Sequence, residues 1–441
     1  MKPVKVIGGG LAGCEAAWQL ARRNIPVQIH EMRPQKMTPA HRTGQLSELV
    51  CSNSLKSVRI DRAHGLLKEE IRMAGSLLLD AADECSIPGG TALVVDRARF
   101  AALITSRLEA NPLVEIIRDE VKELEPGEYT IVSAGPLVSD TLAGEIEKLL
   151  GSGSLSFYDA IAPTVDAESL NREKVFVQDR YGDPGEGSYI NCPFDKEEYK
   201  SFIEAIKSGR TVPLHSFEGE QLFEACLPIE VLASRGDQTL AFGPMRPVGL
   251  TDPRTGTRPY AVVQLRPENM EKTQYSFVGF QTKLTHPEQE RVFRTIPGLE
   301  KATFERLGSI HRNTFLDSPR LLDEFQRPRK APHLFFSGQI CGVEGYTESM
   351  ASGAMTGIYV SSLVLGVEPA PPPATTMTGA LLKQLTIPPR RTFQPVNAQF
   401  GLLSTEGISE RNKKKKRELL THRAIEHMSS YLSQTGIGID S

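Results

Sequence analysis

The run VKVIGGGLAGCEAAWQLARRNIPVQIHEMRP, residues 4–34, decides the fold. Residues 5–7 read as a short apolar strand and 8–13 as a glycine turn. Residues 14–23 read as a helix, with Ala16, Ala17, Leu20 and Ala21 at helical spacing. A second strand over 27–30 ends at Glu31. Strand, turn, helix and strand open a parallel dinucleotide-binding sheet. Gly8-x-Gly10-x-x-Gly13 alone is a weak signal. Here a strand precedes it, a helix follows, and Glu31 stands eighteen positions after Gly13, where a ribose hydroxyl needs an acceptor. Gly8 permits the turn, Gly10 lets backbone approach a pyrophosphate, and Gly13 lets helix and strand pack closely. The pyrophosphate then faces a positive helix end, with Gly9, Leu11 and Ala12 completing the cofactor-binding stretch.

A second signature, HLFFSGQICGVEGYTESMASGAMTGIYV, spans 333–360. It reads as a buried strand over 334–336, a Ser337-Gly338 turn, a loop over 342–345 and a helix starting near Tyr346. This pattern returns the chain to the first domain. It predicts one FAD held by both ends rather than a bare nicotinamide site, with Gly338 and Gly345 at the cofactor. A helix N-terminus aimed at a flavin favours the anionic reduced ring. Tyr346 is either a ring stacked on the flavin or an ordinary core tyrosine. A strand over 129–133 stops at Ala134-Gly135-Pro136, where Gly135 fits either a close cofactor approach or a plain turn.

The chain has 441 residues, room for two domains with full cores. Hydrophobic content of 39%, charged content of 24% and a net charge of −3 mark an ordinary globular protein, so any nucleic-acid surface must be a local patch. The six cysteines show no C-x-x-C spacing and the nine histidines no ligand-spaced pair. Both facts argue against a disulfide frame or a metal site and for a reducing, cytoplasmic setting. The N-terminus lacks the pattern of a signal peptide, and no apolar run is long enough to span a membrane.

Further helices are expected over 64–82, 96–108 and 196–207. From about residue 157 proline, glycine and aromatic residues rise, and the runs 260–265 and 275–280 suggest an antiparallel sheet. The expected fold is α/β. A Rossmann-like FAD-binding domain, residues 1–157 and 310–441, is split by an inserted α+β domain over 158–309. A stiff connector, 367–376, leads to a basic run: Arg411, Lys413, Lys414, Lys415, Lys416 and Arg417. That run is either a solvated helix face or a surface that tracks phosphates. Arg246, Arg254, Arg258 and Arg266 are of too common a type to assign from sequence.

Two cysteines stand out. Cys51 lies in the small polar stretch VCSNSLKS, and Cys226 lies in FEACLPIE. Each alone reads as an inert small hydrophobe or an activated thiol. Cys14 and Cys341 sit inside the glycine signatures and read as packing. Cys85 and Cys192 have no distinguishing context.

These pieces resemble one family. GGGLAGCEAAWQLA, EMRPQKMTPAHRT, ELVCSNSLKS, LFEACLPIEVLASRG, GPMRPVGLTDPRTG, VGFQT, HRNTFL and GVEGYTESMASG are similar to the folate- and FAD-dependent tRNA (uracil-5-)-methyltransferases, TrmFO. The resemblance covers nearly the whole chain. It implies formation of 5-methyluridine at position 54 of the tRNA T-loop, with carbon from 5,10-methylenetetrahydrofolate and reducing equivalents from NADH or NADPH through FAD. It also implies that Cys51 and Cys226 are the two catalytic cysteines and that Tyr346 is the flavin-stacking aromatic. Such chemistry needs a thiolate to add at C6 of uracil, a base for the C5 proton and a hydride to complete the methyl group. Which thiol attacks is left open. The same chemistry on a ribosomal RNA uridine, or a flavin-containing RNA-binding protein without turnover, are the alternatives. A plain NAD(P)H:flavin oxidoreductase would not explain the basic run and two placed cysteines. The larger MnmG flavoproteins share the glycine motifs but carry a long C-terminal helical domain.

Overall fold

The computed structural model describes residues 1–151, 154–183, 185–212, 227–389 and 393–435. The N-terminal run forms the centre of a five-stranded parallel sheet. Its order is Leu334–Phe336, Thr130–Val132, Val4–Ile7, Val27–His30, Val114–Ile117. The late strand therefore sits two places from the first, and both signatures open at the same sheet edge. Helix Leu11–Ala21 follows the first strand and helix Tyr346–Val364 follows the last. The two helices touch backbone to backbone. A Cβ on Gly353 would lie 2.2 Å from the Ala12 carbonyl oxygen, and one on Gly357 would lie 2.7 Å from that of Ala16. That closeness brings both helix N-termini to one cleft.

Two boundaries differ from expectation. The first helix begins at Leu11, not at residue 14, because Gly10 is its N-cap and Gly13 already lies inside it. The helix expected over 64–82 is two helices, Ala63–Met73 and Leu77–Glu84. Gly75 at φ +71° breaks the run, and the Ser76 hydroxyl caps the second helix by accepting from the Leu79 amide. The apolar face continues across the break, so periodicity alone does not show it.

An antiparallel ribbon pairs Ser154–Ala160 with Ile310–Leu316. Beyond it lies a six-stranded sheet containing Ile190–Phe194, Ala261–Pro267 and Gln274–Phe277. Strand Ala261–Pro267 is buried along its whole length instead of alternating, because it lies inside that sheet. The sheet has its own apolar core, with the Phe277 ring 5.4 Å from that of Phe293 and 5.8 Å from that of Phe280. Helix Lys196–Ser208 opens on a capping box between Asp195 and Glu198. The basic run starts helix Lys413–Gln434, which packs against Ala63–Met73. Among the described residues no helix is long and apolar enough to cross a membrane, and no group of three His, Cys, Asp or Glu could hold a metal.

Candidate functional site: a cofactor cleft joined to a thiol pocket

Two cavities meet at Tyr346. The first is lined by Gly8, Gly10, Leu11, Ala12, Glu31, Gly135 and Gly338 among others. The second is lined by Cys51, Arg266, Gly345, Tyr346 and Glu348 among others. Val50, Pro136, Leu137, Gln339 and Tyr346 line both, so one groove leads into the other.

The glycines divide into three jobs. A Cβ on Gly10 would meet nothing within 4 Å, so it would project into free space in the cleft. No side chain caps the helix that begins at Leu11. Its first-turn amides are thus available to an anion at the positive helix end. Gly8, at φ +105°, and Gly338, at φ +77°, hold turns that a side chain would strain. Gly9 and Gly13 do not line the cleft; for Gly13 this is the close-packing role its position in the motif implies, whereas Gly9 differs from its expected place at the cofactor. A Cβ on Gly13 would fall 1.9 Å from the Gly8 carbonyl oxygen, and one on Gly9 would fall 2.4 Å from Leu46 Cδ2. Both are glycine for close packing.

Glu31 lines the cleft, but protein donors already fill its carboxylate. Oε2 accepts from the Gly9 amide at 2.9 Å and Arg33 Nη2 at 3.1 Å; Oε1 accepts from the Arg33 amide at 3.0 Å and Arg33 Nε at 2.9 Å. Burial alone would raise its pKa, but the Arg33 contacts and the Gly9 bond outweigh burial and hold it below the usual value. His41 also lines the cleft. Burial and the Arg33 charge push its pKa down to about 4, so the ring is neutral at physiological pH. The open glycine cradle and uncapped helix amides fit a dinucleotide cofactor, whereas Glu31, expected as a ribose acceptor, instead ties the Gly9 turn to Arg33.

Tyr346 opens the return helix. Its hydroxyl accepts from the Cys51 amide at 2.8 Å and the Ser52 amide at 3.0 Å. The same loop is held by three arginines. Arg97 Nη1 donates to the Leu49 carbonyl at 3.0 Å, and Arg306 Nη1 to the Val50 carbonyl at 2.9 Å. Arg266 Nε reaches Asn53 Oδ1 at 2.8 Å, and its Nη2 reaches Ser52 Oγ at 2.8 Å. Cys51 is half-buried and lines the pocket beside this arginine-held loop, where Arg97 is also paired with Glu268 at 2.6 Å. By contrast burial raises Cys14 to about 12 and Cys341 to about 11, as suits packing thiols. Cys226 lies outside the described residues. Ile229, three positions later, donates to the carbonyl of Gln281, which lines the thiol pocket.

Glu348 was not singled out by its sequence context. It is fully buried and lines the thiol pocket. Oε1 accepts from the Ala398 amide at 3.0 Å and pairs with His64 at 3.1 Å, while Oε2 has no partner among the described residues. Burial would raise its pKa, but the His64 bond and the Lys56 charge hold it low. Its place at the third position of the return helix was the available clue.

The basic run sits apart from both cavities. Arg411, Lys413, Lys414 and Lys415 are exposed, Lys416 and Arg417 half-buried, and Arg417 lies 5.2 Å over the Phe400 ring. Asn412 caps the helix by accepting from the Lys414 and Lys415 amides. Thr421 on that helix donates to the Ile60 carbonyl at 3.4 Å. Ile60 belongs to the exposed segment 56–62, whose first residue, Lys56, lines the thiol pocket.

Comparison with known proteins agrees with this geometry. Residues 3–368 match the family described as glucose inhibited division protein A. The TrmFO methylenetetrahydrofolate--tRNA-(uracil-5-)-methyltransferase of Geobacter sulfurreducens is 52% identical over 431 residues, covering 98% of this chain and 99% of that protein. The chain belongs to this family, within its TrmFO group. The TrmFO of Persephonella marina is 50% identical over 435 residues, covering 98% and 99%. Aquifex aeolicus GidA shares the fold with a TM-score of 0.73 at 16% identity, covering 99% of this TrmFO-group chain and 74% of its own.

Proposed function

We propose that this chain methylates C5 of a uridine in tRNA, at position 54 of the T-loop. The carbon comes from 5,10-methylenetetrahydrofolate and the reducing equivalents from NADH or NADPH through FAD, in the cytoplasm. The observation that carries the reading is the junction at Tyr346, where a dinucleotide cleft opens directly into a pocket lined by Cys51.

In this reading Gly8, Gly10, Leu11, Ala12, Gly135 and Gly338 border the FAD cleft, with Glu31 and Arg33 fixing its far wall. Gly345 and Tyr346 close the end next to the thiol pocket. When bound, reduced FAD supplies the hydride that completes the methyl group. The uracil enters the second pocket. A thiolate adds to C6 and pushes electron density to C5, which then attacks the one-carbon unit carried by the folate. A base takes the C5 proton as the bond from the one-carbon unit to the folate nitrogen breaks, which releases tetrahydrofolate and leaves a methylene on C5; the hydride reduces that methylene to methyl, and the thiolate leaves as the C5–C6 double bond re-forms. Cys51 and Cys226 are the two thiols proposed for these steps, with Arg306 the cation whose charge acts on the Cys51 thiol. The basic helix start, Arg411 and Lys413 to Arg417, is the proposed phosphate-contacting surface. Lysines there run against the helix dipole and cost helix stability, which a role in binding phosphate explains.

The test uses Cys51→Ala and Cys226→Ala in FAD-loaded protein. At least one variant should lose methyl transfer by more than a hundredfold while keeping its FAD. Wild-type rates in both variants would refute the thiol mechanism.

A further inference from the structure

Two large aromatic side chains of the inserted sheet region stand almost wholly in water. Tyr181 is 79% exposed and Phe242 is 80% exposed. Folding gains almost nothing from either ring. Tyr181 also costs backbone strain, since it sits at φ +65°, which a bulky residue rarely adopts. The conformation is nevertheless fixed. The Tyr181 amide donates to the Gly249 carbonyl at 2.8 Å, and the ring lies on Gly249, where a Cβ would fall 2.8 Å from Cδ1 and Cε1. A solvent-facing ring held in a strained, defined pose is prepared to meet something.

Arginines connect the two rings to each other and to the thiol pocket. Arg180 Nη1 donates to the carbonyls of Arg246 at 2.7 Å and Val248 at 2.9 Å, fixing the turn after Phe242 to the turn that carries Tyr181. The Arg246 amide donates to the Gly243 carbonyl at 3.2 Å, and the Arg246 side chain is exposed. Arg266, near the end of strand Ala261–Pro267, has Nη2 2.8 Å from Ser52 Oγ beside Cys51. The Val262 amide donates to the Met245 carbonyl at 2.9 Å. From Val262 to Arg266 is four strand residues, about 13 Å at ~3.3 Å each. The turn after Phe242 is thus bonded to the strand whose far end, at Arg266, reaches the thiol loop. Asp183 and Glu186 are exposed beside Tyr181, so charge alone does not make this an anion site. Flat π faces stack on any base regardless of that local balance.

We propose that Tyr181 and Phe242 form a stacking platform for unpaired nucleotides flanking the target uridine, with Arg246 facing the phosphate between them. The proposal rests on RNA being the substrate, as above. It differs from the basic helix in kind, because its binding comes from stacking rather than counterion release.

The experiment measures Kd for a fluorescently labelled T-arm hairpin transcript on full-length, FAD-loaded protein at several salt concentrations. Tyr181→Ala and Phe242→Ala should each weaken binding about tenfold without changing the slope of log Kd against log salt. Phe242→Trp should bind like the wild type, and Phe242→Leu, apolar but without a π face, should behave like the alanine variant. FAD content is the fold control. Unchanged Kd in both alanine variants, or full binding by Phe242→Leu, would overturn the platform. Methyl transfer persisting in those same variants would leave the function itself standing. A wild-type protein that binds no hairpin would instead remove the RNA reading, and the platform with it.

Discussion

The Tyr346 hydroxyl accepts the backbone amide of Cys51 at 2.8 Å, across 295 positions of sequence. With the second bond from Ser52 at 3.0 Å, one side chain ties the return helix to the thiol loop. Burial pushes the Tyr346 pKa up, so the hydroxyl keeps its proton and acts here through its lone pairs.

Tyr346→Phe would leave two amides without their acceptor, at roughly 1–3 kcal/mol each. The ring would still fill the junction of the two cavities. The expected result is near-normal FAD content with single-turnover methyl transfer slowed at least tenfold, read by rapid quench. An unchanged rate would mean that the arginines alone hold the loop.

Two of the glycine jobs separate in a pair of variants. Gly10→Val adds atoms only to the open cleft, so the protein should fold, melt near the wild-type temperature and lack the flavin absorbance band. Gly13→Val drives a side chain into the Gly8 carbonyl and should cost several kcal/mol or prevent soluble expression. Yellow, soluble Gly10→Val protein would contradict the assignment of the cleft.

Much of this arrangement was legible in the sequence, and the part that was not has physical causes. The strand, glycine turn and helix of each signature are local patterns, so the parallel sheet and the return helix at Tyr346 could be read directly. The helix start at Leu11 was missed because a glycine N-cap looks like loop, and the break at Gly75 because the apolar face continues past it. The surroundings of Cys51 were not readable at all. Arg97, Arg266 and Arg306 reach its loop from separate elements, and no spacing rule connects residues so far apart in the chain. Likewise Glu31 could be seen as a carboxylate at a strand end, but not as one whose oxygens Arg33 and Gly9 already occupy.

His41 predicts an acid-sensitive cleft. Its folded-state pKa of about 4 lies well below the ordinary histidine value of 6.5. A depressed pKa gives stability that is complete above about 6.5 and is lost as pH falls toward 4, because only the unfolded chain takes up the proton readily. Melting temperature should drop between pH 7 and pH 4.5, and His41→Gln should show a shallower drop. Parallel curves for the two proteins would show that other groups set the acid limit.

Replacing Lys413, Lys414, Lys415 and Lys416 with glutamine should weaken tRNA binding and flatten its salt dependence by up to about one unit of slope per lost phosphate contact. The flavin spectrum should not move. A slope equal to that of the wild type would place the phosphate contacts elsewhere on the surface.

The central claim is methyl transfer to a T-loop uridine. Its most direct test is incubation of the FAD-loaded protein with NADPH or NADH, carbon-labelled methylenetetrahydrofolate and an unmodified tRNA transcript, beside a transcript carrying cytidine at position 54. Labelled 5-methyluridine is expected in the first transcript and no label in the second. Label in both, or none in either from folded yellow protein, would contradict it.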